Sequence, residues 1–231
     1  MPQPAARLDV DWVAGGLLPF ADFRVGSLVP TVFRSYARLL HPAWDRDGRP
    51  VRWDAVAQWS GRRLHSLAEF ELLAAPLGSP STPAPFARPP DEGRPPSFVL
   101  DTLCAYLETE TRTPTETTFG VWEGYHWVRT LDRALPKIEL PERTYVALVA
   151  PLRSIGDFGW NEPSGVFARE PPSIMFPADR AWFVVSDVDQ DSTYVGGSRR
   201  LVSALLAEPS LEAWEVGAAD GITAGVDTYN V

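Results

Sequence analysis

The chain holds one cysteine, Cys104, and three histidines, His41, His65 and His126. A lone cysteine excludes an internal disulfide and any zinc knuckle built on cysteine pairs. Three histidines so far apart in sequence argue against a multi-histidine metal centre. No stretch approaches the roughly 20 apolar residues of a membrane span, and the opening Met1-Pro-Gln-Pro-Ala-Ala-Arg7 lacks the apolar core of a signal peptide. No membrane association and a cytoplasmic location are the expectations. Excess positive charge is also missing: the net charge is -9, which opposes the phosphate attraction that nucleic-acid binding relies on. Finally, the chain has no Gly-x-Ser-x-Gly elbow, no His-Glu-x-x-His and no cysteine in a nucleophile context. An acid/base pair would have to be assembled by folding.

What is present is globular in character. Hydrophobic residues at 45% and charged residues at 22% lie near the average for folded domains, which argues against disorder and fibrous repeats. A chain of 231 residues buries roughly 70% of its unfolded surface, enough for one core. The 23 prolines and nine tryptophans are the unusual counts. Proline at about twice ordinary usage implies many loops and few long helices. Eight prolines fall between Pro76 and Pro96, where Leu77 and Phe86 are the only large apolar residues. That composition predicts a long solvated loop, inserted at about 76–96 within a single domain. An exposed proline motif for a partner domain is the rarer alternative.

Periodicity places the elements. Ser35 to His41 alternates as a half-buried strand and stops at Pro42. A turn over 45–50 leads to a helix from Trp53 to Ser60, ended by Gly61, and to a second helical run from Leu67 to Leu73. The clearest helix covers about 97–109, with Ser97 as expected N-cap and Leu100, Leu103, Cys104 and Leu107 on one face. Cys104 therefore reads as a small core residue. Thr117 to Glu123 and Thr144 to Ala150 read as strands. The stretch 152–178 shows no periodicity and reads as a second long connection. Ala181 to Asp189 is the best strand, with a short extension at 193–195, then a helix from Ser198 to Glu208 and a strand from Leu211 to Val216. This order predicts an α+β fold, with a mixed, mainly antiparallel sheet and helices packed on one face.

Three constellations are candidates for chemistry. Asp187, Asp189 and Asp191 sit at alternate positions, as hard-cation ligands do, and a divalent cation is the cofactor they would suit; no other cofactor is expected. The EF-hand pattern breaks at Ser192 and Ser198, and a solvated acidic strand end fits the same residues. If the strand continues, Asp187 and Asp189 share a face, where they repel unless paired or metal-bound. Gly196-Gly197-Ser198 ahead of a helix suits an anion cradle or, more simply, a sharp turn with Ser198 as cap. Trp122, Glu123, Tyr125, His126 and Trp127 gather rings, a carboxylate and an imidazole where a strand leaves the sheet. With Tyr194 they are the expected ligand or partner surface, and they equally suit a cap on the core.

Four phrases, Ser35-Tyr-Ala-Arg-Leu-Leu-His-Pro-Ala43, Phe119-Gly-Val-Trp-Glu-Gly124, Pro177-Ala-Asp-Arg-Ala-Trp182 and Asp191-Ser-Thr-Tyr-Val-Gly-Gly-Ser198, together resemble a family of uncharacterised proteins from GC-rich bacteria. The resemblance brings no activity, cofactor or catalytic residue. The acidic single-domain outline is also similar to the immunity proteins of bacterial toxin systems. The expectation is a non-enzymatic, immunity-like binding protein that offers an acidic and aromatic surface to a basic protein partner or small ligand. Its rival is a metal-dependent hydrolase or small-molecule enzyme using Asp187, Asp189 and Asp191.

Overall fold

A nine-stranded sheet organises the molecule, and every strand pairing among the described residues is antiparallel. The computed structural model describes residues 3–4, 9–130 and 135–231. In chain order the helices are α1 (Asp11–Gly16), α2 (Val25–Leu28), α3 (Trp53–Ser60), α4 (Phe70–Leu73), α5 (Ser97–Glu110) and α6 (Arg199–Ala207). The strands are β1 (Gln3–Pro4), β2 (Ser35–Leu40), β3 (Ala43–Trp44), β4 (Pro50–Val51), β5 (Thr117–Trp122), β6 (Lys137–Leu140), β7 (Arg143–Ala150), β8 (Gly159–Asn161), β9 (Phe167–Arg169), β10 (Ile174–Pro177), β11 (Phe183–Val185), β12 (Ser192–Gly197) and β13 (Ala213–Val216). The sheet runs β1-β7-β5-β10-β11-β12-β2-β13, with β6 also on β7. Two small hairpins, β3-β4 and β8-β9, stand outside it. No helix among the described residues is long and apolar enough to cross a membrane.

Alternation along the strands divides the core in two. Phe119, Val121, Val146, Val184 and Val195 point to one face, where α5 and α6 cover them with Val99, Leu103, Leu107, Leu201 and Leu205. Tyr145, Ala147, Ile174, Phe176, Phe183 and Tyr194 point to the other, covered by the short α1 and α2 through Val13, Val25 and Leu28. A third cluster packs Trp53, Val56, Phe70 and Leu73 against Leu40 at one end of the sheet. The two longest helices thus share a face, as expected, and the N-terminal turns supply the opposite layer. Cys104 is buried in the first core, where burial pushes its thiol up to about 12.

Several local expectations are corrected. The stretch 152–178 contains the β8-β9 hairpin and β10, which lies between β5 and β11 near the middle of the sheet. Ile174-Met-Phe-Pro177 is apolar on both faces because both faces are covered, so it carries no alternation. Gly196 and Gly197 are buried strand residues paired with Tyr36 and Ser35, not a turn. A Cβ on Gly196 would lie 2.5 Å from the Phe33 ring and 2.6 Å from Val29, so glycine here lets the N-terminal layer approach the sheet. Ser198 does cap α6, accepting from the Leu201 N–H at 3.0 Å. Ser97 does not cap α5: it is the first helical residue, and the Pro96 carbonyl receives the Val99 and Leu100 amides.

The proline segment is exposed throughout 76–84, but its second half, though exposed in places, is anchored to the fold. Phe86 packs edge-on to Phe70 at 5.3 Å and to Trp59 at 6.1 Å. Asp91 accepts from Trp44 Nε1 at 2.9 Å, and its carbonyl lies 2.8 Å from His41 Nδ1. His41 is fully buried, its Nε2 lies 2.9 Å from Thr193 Oγ1, and that hydroxyl lies 2.7 Å from Ser186 Oγ. These polar pairings tie the segment to β2 and β12, so composition alone misreads it.

Burial lowers the His41 pKa from 6.5 to about 4. The folded state therefore favours the neutral ring: the stabilisation is complete above pH 6.5 and is lost as pH falls towards 4. Converted at 1.36 kcal/mol per unit, the loss is about 3 kcal/mol. Urea unfolding at pH 7 and pH 4.5 is expected to show a smaller drop for His41→Gln than for the unaltered protein. Equal drops would show that this imidazole does not set the acid limb.

Candidate functional site

A cleft of about 270 Å³ opens where the β2-β12 pair meets α4, the end of the proline segment and the C-terminal segment 221–226. Arg38 and Tyr194 form its floor as cross-strand neighbours on β2 and β12. Five carboxylates line it: Glu69, Glu71, Glu92, Asp189 and Asp191. Arg38 is the one basic side chain in the lining, and it is committed inward. Its Nε donates to Ser192 Oγ at 2.9 Å, Nη1 to the carbonyls of Ala68 at 2.9 Å and Ser66 at 3.1 Å, and Nη2 to Asp191 Oδ1 at 3.2 Å. The Trp53 ring lies 5.4 Å from the guanidinium carbon. Four of the five donors are thereby spent holding β2, β12 and the 66–68 backbone together.

The carboxylates are not equivalent. Asp191 is balanced by Arg38. Glu69 Oε1 accepts the Gly225 and Asp227 amides at 2.7 and 3.0 Å, fixing the C-terminal segment as one wall. Asp227 completes that wall, receiving Asn230 Nδ2 at 2.7 Å and His65 Nε2 at 2.8 Å. The Leu67 N–H donates to His65 Nδ1 at 3.2 Å, which places the ring proton on Nε2. These bonds outweigh burial and lower the Asp227 pKa to about 2. Glu71 and Glu92 have no cationic or hydrogen-bonded partner among the described residues. Burial, with Asp191, Asp189 and Glu71 nearby, raises the Glu92 pKa above 4.5.

The three sequence-predicted aspartates do not converge. Asp187 and Asp189 grip Arg143: Nε reaches Asp187 Oδ2 at 3.0 Å, and Nη2 reaches Asp187 Oδ1 at 3.1 Å and Asp189 Oδ2 at 2.6 Å. The expected strand to Asp189 stops at Val185, so Asp187 and Asp189 lie in the turn after β11 and not on one strand face; Arg143 compensates both, while Asp191 turns to Arg38. Among the described residues no three His, Cys, Asp or Glu side chains are grouped to hold a metal ion. Asp189 and Asp191 line the cleft; Asp187 is buried beside it.

The aromatic group lies elsewhere. Trp122, Tyr125 and Trp127 belong to or pack against the α5-α6 core, and none lines the acidic cleft. Tyr125 is edge-on to Trp122 at 5.4 Å, and burial pushes its hydroxyl up to about 12. His126 is exposed and meets Trp160 of β8 edge-on at 4.7 Å, while Trp127 stacks on the same indole at 6.3 Å. Glu123 is exposed and bonds Lys137 Nζ at 2.8 Å. Of the six ring and carboxylate positions singled out by sequence, Tyr194 alone joins Asp189 and Asp191 at the cleft. Sequence reasoning missed Arg38, Glu71, Glu92 and Arg143. A charged residue inside the apolar run Ser35-Tyr-Ala-Arg-Leu-Leu40 was the available signal for the first.

Compared with protein-family models, curated proteins and solved structures, the chain matches none.

Removing Arg143 leaves Asp187, with only 4% of its side chain exposed, as an uncompensated charge. Arg143→Ala is expected to cost about 3–5 kcal/mol in urea unfolding, and Asp187→Asn in the same chain to recover part of it. Full additivity of the two substitutions would show that the pair is not coupled.

Proposed function

We propose that the protein is a non-enzymatic binding protein whose acidic cleft receives a cationic group, the amine or guanidinium of a basic protein partner. The observation that supports this most is the state of the lining: of its five carboxylates, Asp191 is met by Arg38, Asp189 by Arg143 and Glu69 by two backbone amides, while Glu71 and Glu92 have no partner among the described residues. Glu71 and Glu92 are exposed at the cleft opening, where solvent screens them but their like charges still favour an entering cation. A cation entering it relieves that repulsion. The wall held by Glu69, Asp227 and His65 is built before any ligand arrives, which lowers the ordering cost of binding. A net charge of -9 favours encounter with a basic partner. An immunity-like role, neutralising a basic protein by covering its cationic surface, is the biological form this reading takes.

The hydrolase alternative draws less support. Asp187 and Asp189 are already neutralised by Arg143, and Asp191 by Arg38, so none is free to act as a base or to recruit a cation without breaking an ion pair.

Calorimetric titration with an arginine-rich peptide at low salt tests the proposal. Saturable binding that weakens with added salt is expected, and Glu71→Gln with Glu92→Gln should weaken it by about tenfold or more. Because a bound cation favours the ionised carboxylate, binding just above pH 4.5 should release protons from Glu92, read as a buffer-dependent enthalpy. Unchanged affinity in the double variant would overturn the assignment to this cleft.

A further inference from the structure

A second cavity, of about 190 Å³, lies away from the acidic cleft, between the start of α5, the turn at 152–157 and the β8-β9 hairpin. Its floor is apolar: Leu100, Ile155 and Phe158 are buried members of the α5-α6 core and present their side chains to it. Its rim carries two guanidiniums, Arg94 and Arg169. Arg94 reaches the buried Glu170 through Nε and Nη2, which leaves Nη1 uncommitted. Arg169 has no ion pair or hydrogen bond among the described residues. Its Nη2 would lie 2.8 Å from a Cβ at position 156, so the glycine there is what lets the guanidinium lie over the 152–157 turn. Arg169 is exposed, so its guanidinium is accessible at the mouth of the apolar cavity.

We propose that this cavity binds a small organic carboxylate with an apolar ring or branched body. The floor removes apolar surface from water, and a planar guanidinium matches a carboxylate with two parallel N–H donors. An apolar cavity of ~150 Å³ already accommodates benzene, so this one suits a ring of that size with its carboxylate at the rim. Asp101 is the acid in the lining; it repels the carboxylate and limits affinity without occupying the floor. Ser97 opens the 14-residue α5 at the same place, and the positive end of the helix dipole adds to the arginine field. Nothing in this assignment depends on the acidic cleft, which takes the opposite charge.

Benzoate is the probe, followed by the methyl resonances of Leu100 and Ile155. Saturable shifts are expected with benzoate, weaker or absent shifts with benzylamine and with inorganic phosphate. Losing a charge-assisted pair should weaken benzoate about tenfold to hundredfold in Arg169→Gln, with partial retention in Arg169→Lys. Gly156→Ala should displace the guanidinium and weaken benzoate while leaving the melting temperature nearly unchanged, and Asp101→Asn should tighten it. Absence of saturable shifts, equal binding of phosphate or benzylamine, or unchanged affinity in Arg169→Gln would each overturn the proposal. Acidic-cleft variants should leave benzoate binding intact; its loss in Glu71→Gln would place the probe at the wrong site.

Discussion

Arg38 is the constraint around which the acidic cleft is built. Its side chain is nearly buried, and a buried guanidinium is tolerated only when its donors are satisfied and its charge is matched. Ser192, Asp191 and the carbonyls of Ser66 and Ala68 do this from two segments, 191–192 and 66–68. Satisfying one cation therefore fixes the β2-β12 register, the approach to α4 and the turn that ends at Asp191. The cleft is the space left beside that junction. Its acidity follows from how the cations are used: Arg38 is consumed internally, Arg143 is held by Asp187 and Asp189, and Glu71 and Glu92 have no cationic partner among the described residues.

The same logic recurs at Arg143 and Arg94. Asp187 and Glu170 are buried carboxylates, and each is met by one arginine in a two-nitrogen contact. Three buried or half-buried ion pairs thus join the loops to the sheet at points where apolar packing alone gives no direction. Such pairs add little net stability compared with apolar replacements, but they penalise alternative loop placements strongly. This explains how a chain with 23 prolines and many irregular connections still holds defined cavities. The two cavities differ because the pairing differs: in the acidic cleft the carboxylates exceed the arginine, and at the α5 cavity Arg169 is left without an acid.

The structure also separates two kinds of aromatic residue that look alike in sequence. Trp122, Tyr125 and Trp127 are drawn into the core or against its edge, where the area they bury outweighs any value as an exposed surface. Tyr194 occupies a strand position whose alternation brings it to the cleft floor. A cluster of rings at a strand end is compatible with either outcome, and the choice depends on what covers the strand from above.

The α+β class, the antiparallel pattern, α3, α5 and α6, and the burial of Cys104 were legible because each rests on short-range periodicity between neighbours in the chain. The apolar face of α5 at Leu100, Leu103, Cys104 and Leu107 needs no distant partner to be recognised. β10 was illegible because a strand covered on both faces has no alternation to display. The central place of Ile174–Pro177 is set by β5 and β11, more than fifty residues upstream in one case and a few residues downstream in the other. The proline segment was half legible: composition describes its exposed part, but the anchoring of Phe86 and Asp91 depends on Trp59, Trp44 and His41. Asp187, Asp189 and Asp191 show the limit most directly. Sequence determines their spacing and the need for neighbouring like charges to be compensated; only tertiary structure decides that the strand stops at Val185 and that Arg143 and Arg38 compensate the turn beyond it, because Coulomb energy depends on distance in space and not along the chain.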